Sequence, residues 1–143
     1  MTDVLIATDA DAVFKQVEAA LVDPGTTVRR VRAGHDVVPA VQEATPDLVV
    51  LDLQIGNMGG IATCILLRHE AIDGRLPDLP VLLLLDRGAD VMLARRAGAD
   101  GWVVKPLDPI QLRRAAAAVL EGRTDEDAQP AAEPQLAGDV NPL

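Results

Sequence analysis

The chain contains an apolar run of strand length, Leu48–Leu51, that ends in the carboxylate of Asp52. A strand that is apolar on both faces must be buried on both faces, and such strands are typical of the centre of a parallel sheet. Asp52 then lies where the strand emerges at the carboxyl edge, the edge where open parallel sheets bind ligands. The run predicts an α/β fold with one carboxylate at its ligand-binding edge.

Two further apolar runs also end near charged residues. The run at residues 4–7 leads to Asp9, and the run at residues 102–104 leads to Lys105. If these strands are parallel neighbours, Asp9, Asp52 and Lys105 project from the same edge. Two close carboxylates repel each other, so they need a hard cation, an ammonium group or a raised pKa. The set suggests a Mg²⁺ site with a lysine beside it.

Apolar runs alternate along the chain with longer segments of helical period, which predicts repeated βα units around a parallel sheet. Val81–Leu85 is apolar throughout and predicts a central strand. Asp11 stands at the start of the first helical segment, where its carboxylate is placed to cap the helix. Residues 1–122 are predicted to form one domain. Residues 123–143 are acidic and poor in large apolar residues, and are predicted to be a disordered tail.

Charge and composition exclude several classes of function. The net charge is −9 over 143 residues, without the basic footprint of a protein that binds nucleic acid or an anionic membrane. Phe14 and Trp102 are the only aromatic residues, which argues against binding of single strands by base stacking. No apolar run approaches the length of a membrane span, and the single cysteine fits a reducing compartment. We expect a soluble, cytoplasmic protein.

Four segments, "VLIATDAD", "PDLVVLDLQIGNMGG", "LPVLLLLDR" and "AGADGWVVKP", together carry a resemblance to a known family. In this order they resemble the receiver domain of bacterial two-component response regulators, the CheY-like domain, over roughly residues 2–122. The resemblance implies a doubly wound, five-stranded parallel sheet of strand order 2-1-3-4-5, the flavodoxin-like (βα)5 fold. Its active edge lies at the topological switch point.

The resemblance also implies roles for particular residues. Asp52 matches the phosphoacceptor. Asp9 and Asp52 match the carboxylate ligands of Mg²⁺, and the backbone carbonyl of Gln54 matches a third ligand. Lys105 matches the lysine that pairs with the phosphoryl oxygens, and the peptide bond from Lys105 to Pro106 is expected to be cis.

The sequence departs from the family at several of these positions. Thr8 replaces the first of two adjacent carboxylates, which predicts weaker metal affinity. Leu85 stands where a Ser or Thr normally contacts the phosphoryl group, which breaks the usual switch linkage to the aromatic on strand five, here Trp102. Gly56 stands where proline is common, and Asp86 adds negative charge beside the predicted site.

These features predict a stand-alone receiver that accepts a phosphoryl group on Asp52 and is not an enzyme. The expected donor is a sensor histidine kinase or histidine phosphotransfer protein, and the output is contact with a downstream protein target, without nucleic acid or membrane binding. Thr8 and Leu85 support an alternative, a pseudo-receiver that binds a partner without phosphorylation. An enzyme of flavodoxin-like fold is disfavoured because no glycine-rich phosphate loop follows the first strand.

Overall fold

The computed structural model describes residues 1–122, in which five strands alternate with five α-helices. The strands are β1 (Thr2–Ala7), β2 (Thr26–Val31), β3 (Leu48–Asp52), β4 (Val81–Leu85) and β5 (Gly101–Val104). The helices are α1 (Asp11–Leu21), α2 (Val37–Glu43), α3 (Gly60–Ile72), α4 (Val91–Ala97) and α5 (Pro109–Leu120). None of these helices is long and apolar enough to cross a membrane. The predicted tail, residues 123–143, lies outside the described residues.

The five strands form one parallel sheet in the order β2-β1-β3-β4-β5. Every residue of β3 and β4 is buried, as their continuous apolar sequences predict. The edge strand β2 is partly exposed and carries Arg29 and Arg30. The predicted flavodoxin-like fold, including its strand order, is therefore confirmed.

Successive residues of each strand point to opposite faces of the sheet, and each face has its own aliphatic core. On one face Leu82 and Leu84 pack in a cluster with buried residues of α1 and α5. On the other, Leu83 and Leu85 pack in a cluster with buried residues of α2, α3 and α4. Burial of a leucine side chain contributes about 1.5–3 kcal/mol, so β4 alone anchors both helical layers to the sheet.

One local prediction is wrong. The N-cap residue of α1 is Ala10, which makes no side-chain capping hydrogen bond among the residues that the structure describes. The carboxylate of Asp11 instead accepts hydrogen bonds from Arg30 at 2.9 Å and Arg32 at 3.1 Å. These arginines lie on and just beyond β2, so Asp11 ties the start of α1 to the edge of the sheet.

Candidate functional site

The carboxyl ends of β1, β3, β4 and β5 meet at one edge of the sheet, as parallel pairing requires. Asp52 is the last residue of β3 and is 1% exposed. Ala7 pairs with Leu51 and Leu85 pairs with Val104 in the sheet, so the residues that follow each pair lie close to Asp52. The fold thus surrounds a buried carboxylate with side chains from three neighbouring strand ends.

Three donors satisfy the carboxylate of Asp52. The hydroxyl of Thr8, which is fully buried, donates to Oδ2 at 2.7 Å. The ammonium of Lys105 donates to Oδ1 at 2.7 Å, and the backbone N–H of Gln54 donates to the same oxygen at 3.2 Å. A buried charge needs such partners because it has lost its water. The site therefore pairs both oxygens of the Asp52 carboxylate with hydrogen-bond donors.

Lys105 connects two carboxylates. Its Nζ lies 2.7 Å from Asp52 and 3.2 Å from Oδ1 of Asp86, and its side chain is 22% exposed. Burial alone lowers the pKa of this ammonium, but the hydrogen bonds and charges of Asp52 and Asp86 outweigh burial and raise it. Lys105 is thus fully charged at neutral pH. It neutralises negative charge at the mouth of the site.

Asp86 also receives the side-chain amide of Gln54, whose Nε2 donates to its Oδ2. That hydrogen bond, together with the nearby Lys105 ammonium, lowers the pKa of the Asp86 carboxyl, so it is ionised at neutral pH. Gln54 follows β3 and Asp86 follows β4. Their contact therefore joins the two loops that flank Asp52.

Asp9 lies in the loop after β1, and its Oδ2 accepts the backbone N–H of Gly56 at 3.2 Å. A proline at position 56 lacks that N–H, so Gly56 supports an interaction that the commoner family residue cannot make. The loop is tied at a second point, because the N–H of Gly34 donates to the carbonyl of Gly56 at 3.0 Å. Asp9 is thereby connected to the β3–α3 loop that carries Gln54.

The start of α3 is packed against the backbone of the site. A Cβ added to Gly60 would lie 2.6 Å from the carbonyl oxygen of Asp52, too close for any side chain. The absence of a side chain lets the first turn of α3 rest on the end of β3. This contact fixes the backbone that carries the buried carboxylate.

Leu85 and Trp102 lie in the aliphatic core rather than in the polar pocket. Leu85 is fully buried, and its side chain has no group that could donate to a phosphoryl oxygen. Trp102 is 8% exposed in the same cluster, and the guanidinium of Arg95 lies 5.5 Å from its ring centroid. A cation in this position is attracted by the face of an aromatic ring. Trp102 is accordingly packed between the core and α4.

The structure thus brings together Thr8, Asp52, Gln54 and Lys105, and places Asp9 on the adjoining loop. The peptide bond between Lys105 and Pro106 is cis, as the resemblance implies. The hydrogen bond from Thr8 to Asp52 was not predicted. The signal for it is the sheet register, since the residue after Ala7 lies beside the residue after Leu51.

The oxygen atoms near Asp52 suit a hard divalent cation. Within residues 1–122, no three His, Cys, Asp or Glu side chains converge as a ready metal-binding group. Asp9 and Asp52 nevertheless place two carboxylates at the same edge of the sheet, and carboxylates are the protein ligands that Mg²⁺ uses. Mg²⁺ commonly binds through one or two carboxylates and retains several waters. The donor set therefore fits Mg²⁺.

Comparisons with known proteins identify the class. The family model of the response regulator receiver domain matches residues 4–117. The chain belongs to this family, whose members are signalling modules of two-component systems.

Relatives of known name agree with this assignment. Transcriptional regulatory protein AfsQ1 of Streptomyces coelicolor is 33% identical over 109 residues, which are 75% of this chain and 46% of the relative. The DNA-binding response regulator MtrA of Mycolicibacterium smegmatis is 30% identical over 128 residues, which are 88% of this chain and 54% of the relative. The chain therefore spans about half the length of these curated relatives.

Solved structures of receivers superimpose closely. A putative response regulator from Chloroflexus aurantiacus has a TM-score of 0.75 at 25% identity, and the match covers 84% of this chain and 98% of the chain in that structure. The chemotaxis response regulator CheY4 of Vibrio cholerae has a TM-score of 0.72 at 25% identity, with 83% and 98% covered. The BeF3-activated receiver domain of DrrB has a TM-score of 0.69 at 27% identity, with 85% and 98% covered.

Proposed function

We propose that this receiver accepts a phosphoryl group on Asp52 and signals through a protein contact that changes with the state of that residue. The observation that carries the proposal is the contact between the buried Asp52 carboxylate and the Lys105 ammonium, at 2.7 Å. The donor is a phosphohistidine of a sensor histidine kinase or a histidine phosphotransfer protein. This function is that of a signalling module rather than of an enzyme that turns over a separate substrate.

In the proposed step, one carboxylate oxygen of Asp52 forms a bond to phosphorus while the bond from phosphorus to the donor nitrogen breaks. The released imidazole takes a proton from solvent, and Asp52 becomes an acyl phosphate. Phosphoryl transfer depends mainly on positioning and on neutralising charge at the equatorial oxygens. Lys105 supplies a positive charge beside the attacking oxygen. Burial of Asp52 limits competing attack by water.

Asp9, Asp52 and the backbone carbonyl of Gln54 are the residues that would hold Mg²⁺. When bound, a divalent cation neutralises phosphoryl charge and reduces repulsion between that group and the Asp52 carboxylate. Thr8 contributes a neutral hydroxyl where a carboxylate would add charge, so we expect weak affinity for the cation. Asp9 is already oriented by the Gly56 N–H, which keeps its carboxylate at the sheet edge.

The output of the chain is proposed from its charge rather than from its relatives. MtrA is a DNA-binding response regulator by name, and only 54% of its length is matched here. This chain carries a net charge of −9, which opposes binding to the phosphate backbone of DNA. We therefore propose a downstream protein target, without direct contact to nucleic acid.

The test is the intact mass of the protein after incubation with acetyl phosphate and Mg²⁺, with Asp52→Asn as the matched control. A phosphoryl adduct that requires Mg²⁺ and is lost in D52N supports the proposal. An Asp9→Asn variant should give less adduct at limiting Mg²⁺. If the folded wild-type protein gives no adduct with either acetyl phosphate or a phosphohistidine donor, the proposal is wrong and binding without phosphorylation is favoured.

A further inference from the structure

Asp86 lies at the rim of the site, outside the buried carboxylate. Its side chain is 27% exposed, whereas Asp52 is 1% exposed. It binds Lys105 from one side and Gln54 from the other. A group that binds both Asp52 and Lys105 therefore lies close to this carboxylate.

Lys105 is shared between Asp52 and Asp86. An ammonium has three N–H donors, and these two carboxylates occupy two of them, at 2.7 Å and 3.2 Å. A phosphoryl group on Asp52 would place its oxygens beside the same ammonium. Asp86 then competes for a donor that those oxygens need, and its negative charge repels them.

We propose that Asp86 is a positioning residue that holds Lys105 and lowers the affinity of the Asp52 pocket for phosphoryl-like anions. The inference rests on the proposed function and deepens it, because it concerns the same pocket. Two effects act in the same direction: Lys105 must release Asp86 before it fully engages the incoming anion, and the charge on Asp86 opposes that anion.

The substitution Asp86→Asn removes the charge of the side chain and keeps its shape. The side-chain oxygen of asparagine still accepts the amide of Gln54, so the contact between the two loops is kept. Asparagine has no charge with which to hold Lys105 or repel an anion. Asp86→Ala, by comparison, removes both effects together with the Gln54 contact. A purely structural role for Asp86 predicts that D86N behaves like the wild type and that only D86A differs.

The test measures binding of beryllofluoride, in the presence of Mg²⁺, to the full chain by isothermal titration calorimetry. Asp108→Asn is the matched control, because Asp108 is exposed after β5 and, within residues 1–122, its side chain accepts a hydrogen bond only from the backbone N–H of Ile110. Asn also caps helices, so D108N changes the net charge equally without altering the pocket. Urea unfolding verifies that each variant is folded.

We expect D86N to bind beryllofluoride about tenfold more tightly than the wild type, a difference of about 1.4 kcal/mol, and D108N to match the wild type. The gain should shrink as ionic strength rises, because salt screens partly exposed charges. The rate of phosphorylation by acetyl phosphate should likewise be higher for D86N than for the wild type and D108N.

Equal affinities of wild type and D86N overturn the inference. If both bind well and equally, the proposed function stands and only the role of Asp86 is wrong. If neither binds, the inference is wrong, and the mass measurement with acetyl phosphate and a phosphohistidine donor decides separately whether the proposed function stands. Binding by D86N alone supports the inference and shows that the charge at position 86 keeps the wild-type pocket from binding the anion.

Discussion

Replacing Thr8 by valine tests whether its hydroxyl stabilises the buried carboxylate of Asp52. Valine keeps the shape of the side chain but removes the donor that lies 2.7 Å from Oδ2. Both residues are almost fully buried, and a hydrogen bond to a charged group contributes about 1.5–3 kcal/mol. Valine also removes the acceptor for the Ala10 N–H, at 3.2 Å, which contributes about 1 kcal/mol. We expect the free energy of unfolding to fall by about 2.5–4 kcal/mol.

A pair of variants at the same position then separates charge from hydrogen bonding. Thr8→Asn can still donate to Asp52, whereas an ionised aspartate in Thr8→Asp can only accept. Two like charges about 4 Å apart repel by about 4 kcal/mol at an effective dielectric constant of 20. Protonation of one carboxyl limits this cost. We expect T8D to be less stable than T8N by about 2–4 kcal/mol in the absence of divalent cations.

Magnesium should reverse part of that difference. A third carboxylate beside Asp9 and Asp52 attracts a divalent cation more strongly than the Thr8 hydroxyl does. A ligand that binds only the folded state stabilises it by RT ln(1 + [L]/Kd). The increase in unfolding free energy on adding millimolar Mg²⁺ should therefore be larger for T8D than for T8N or the wild type.

The assay is urea unfolding followed by the fluorescence of Trp102, which is 8% exposed in the folded state. Each variant is measured in chelator and in Mg²⁺. Equal stability of T8D and T8N in chelator would refute the placement of residue 8 beside Asp52, because the carboxylates of T8D and Asp52 could not then be neighbours. Equal Mg²⁺ effects on both variants would refute the assignment of the cation to this side of Asp52.

Three further predictions concern the framework of the domain. Gly34 and Gly88 each begin a short 3-10 turn, Gly34–Asp36 and Gly88–Asp90. Gly34→Ala places a Cβ 1.9 Å from the backbone oxygen of Met58 and should lower the free energy of unfolding by about 1–3 kcal/mol, whereas Gly88→Ala has open space and should change it little. Equal effects of the two variants in the same urea assay would contradict this packing. Arg68→Met removes hydrogen bonds to two carboxylates and two backbone carbonyls and should lower the free energy of unfolding by about 3 kcal/mol. Arg75 is more exposed, so Arg75→Met should lower it little. A larger loss for Arg75→Met than for Arg68→Met would refute this prediction. Burial raises the pKa of the Cys64 thiol from 9.0 to about 11, so the thiolate fraction at pH 8 is about 100-fold lower in the folded protein than in the unfolded chain. Ellman's reagent should therefore label Cys64 at least about 100-fold more slowly in the folded protein than in urea. Fast labelling of the folded protein would show that the thiol is accessible.

The strand signal was simple enough to predict a parallel α/β sheet, whereas the strand order 2-1-3-4-5 was implied by the resemblance to the receiver family. Leu48–Leu51 and Val81–Leu85 are apolar without interruption, and both are buried on both faces in the centre of the sheet. Parallel pairing then forces strand ends to one edge. This geometry is enough to bring Asp52 and Lys105 together, although 53 residues separate them in the chain.

Side-chain partners were less predictable, because they depend on neighbours brought together only by folding. Asp11 has the position of a helix cap, but two arginines from the edge strand lie within hydrogen-bond distance and satisfy its carboxylate. Thr8 is conspicuous in the sequence as a missing carboxylate, which says nothing about the donor it provides. The bond from Gln54 to Asp86 joins two loops whose relative position no local pattern determines.

The positions of the carboxylates link the two departures that matter most for the proposed chemistry. Thr8 removes a negative charge from the side of Asp52 where Asp9 lies, and Asp86 adds one on the side where Lys105 lies. The first change weakens attraction for a cation, and the second engages the lysine. Both lower the affinity for a phosphoryl group, so a double variant, T8D with D86N, should bind beryllofluoride in Mg²⁺ more tightly than either single variant. Because both positions act through Asp52, a double-mutant cycle should reveal coupling rather than strict additivity.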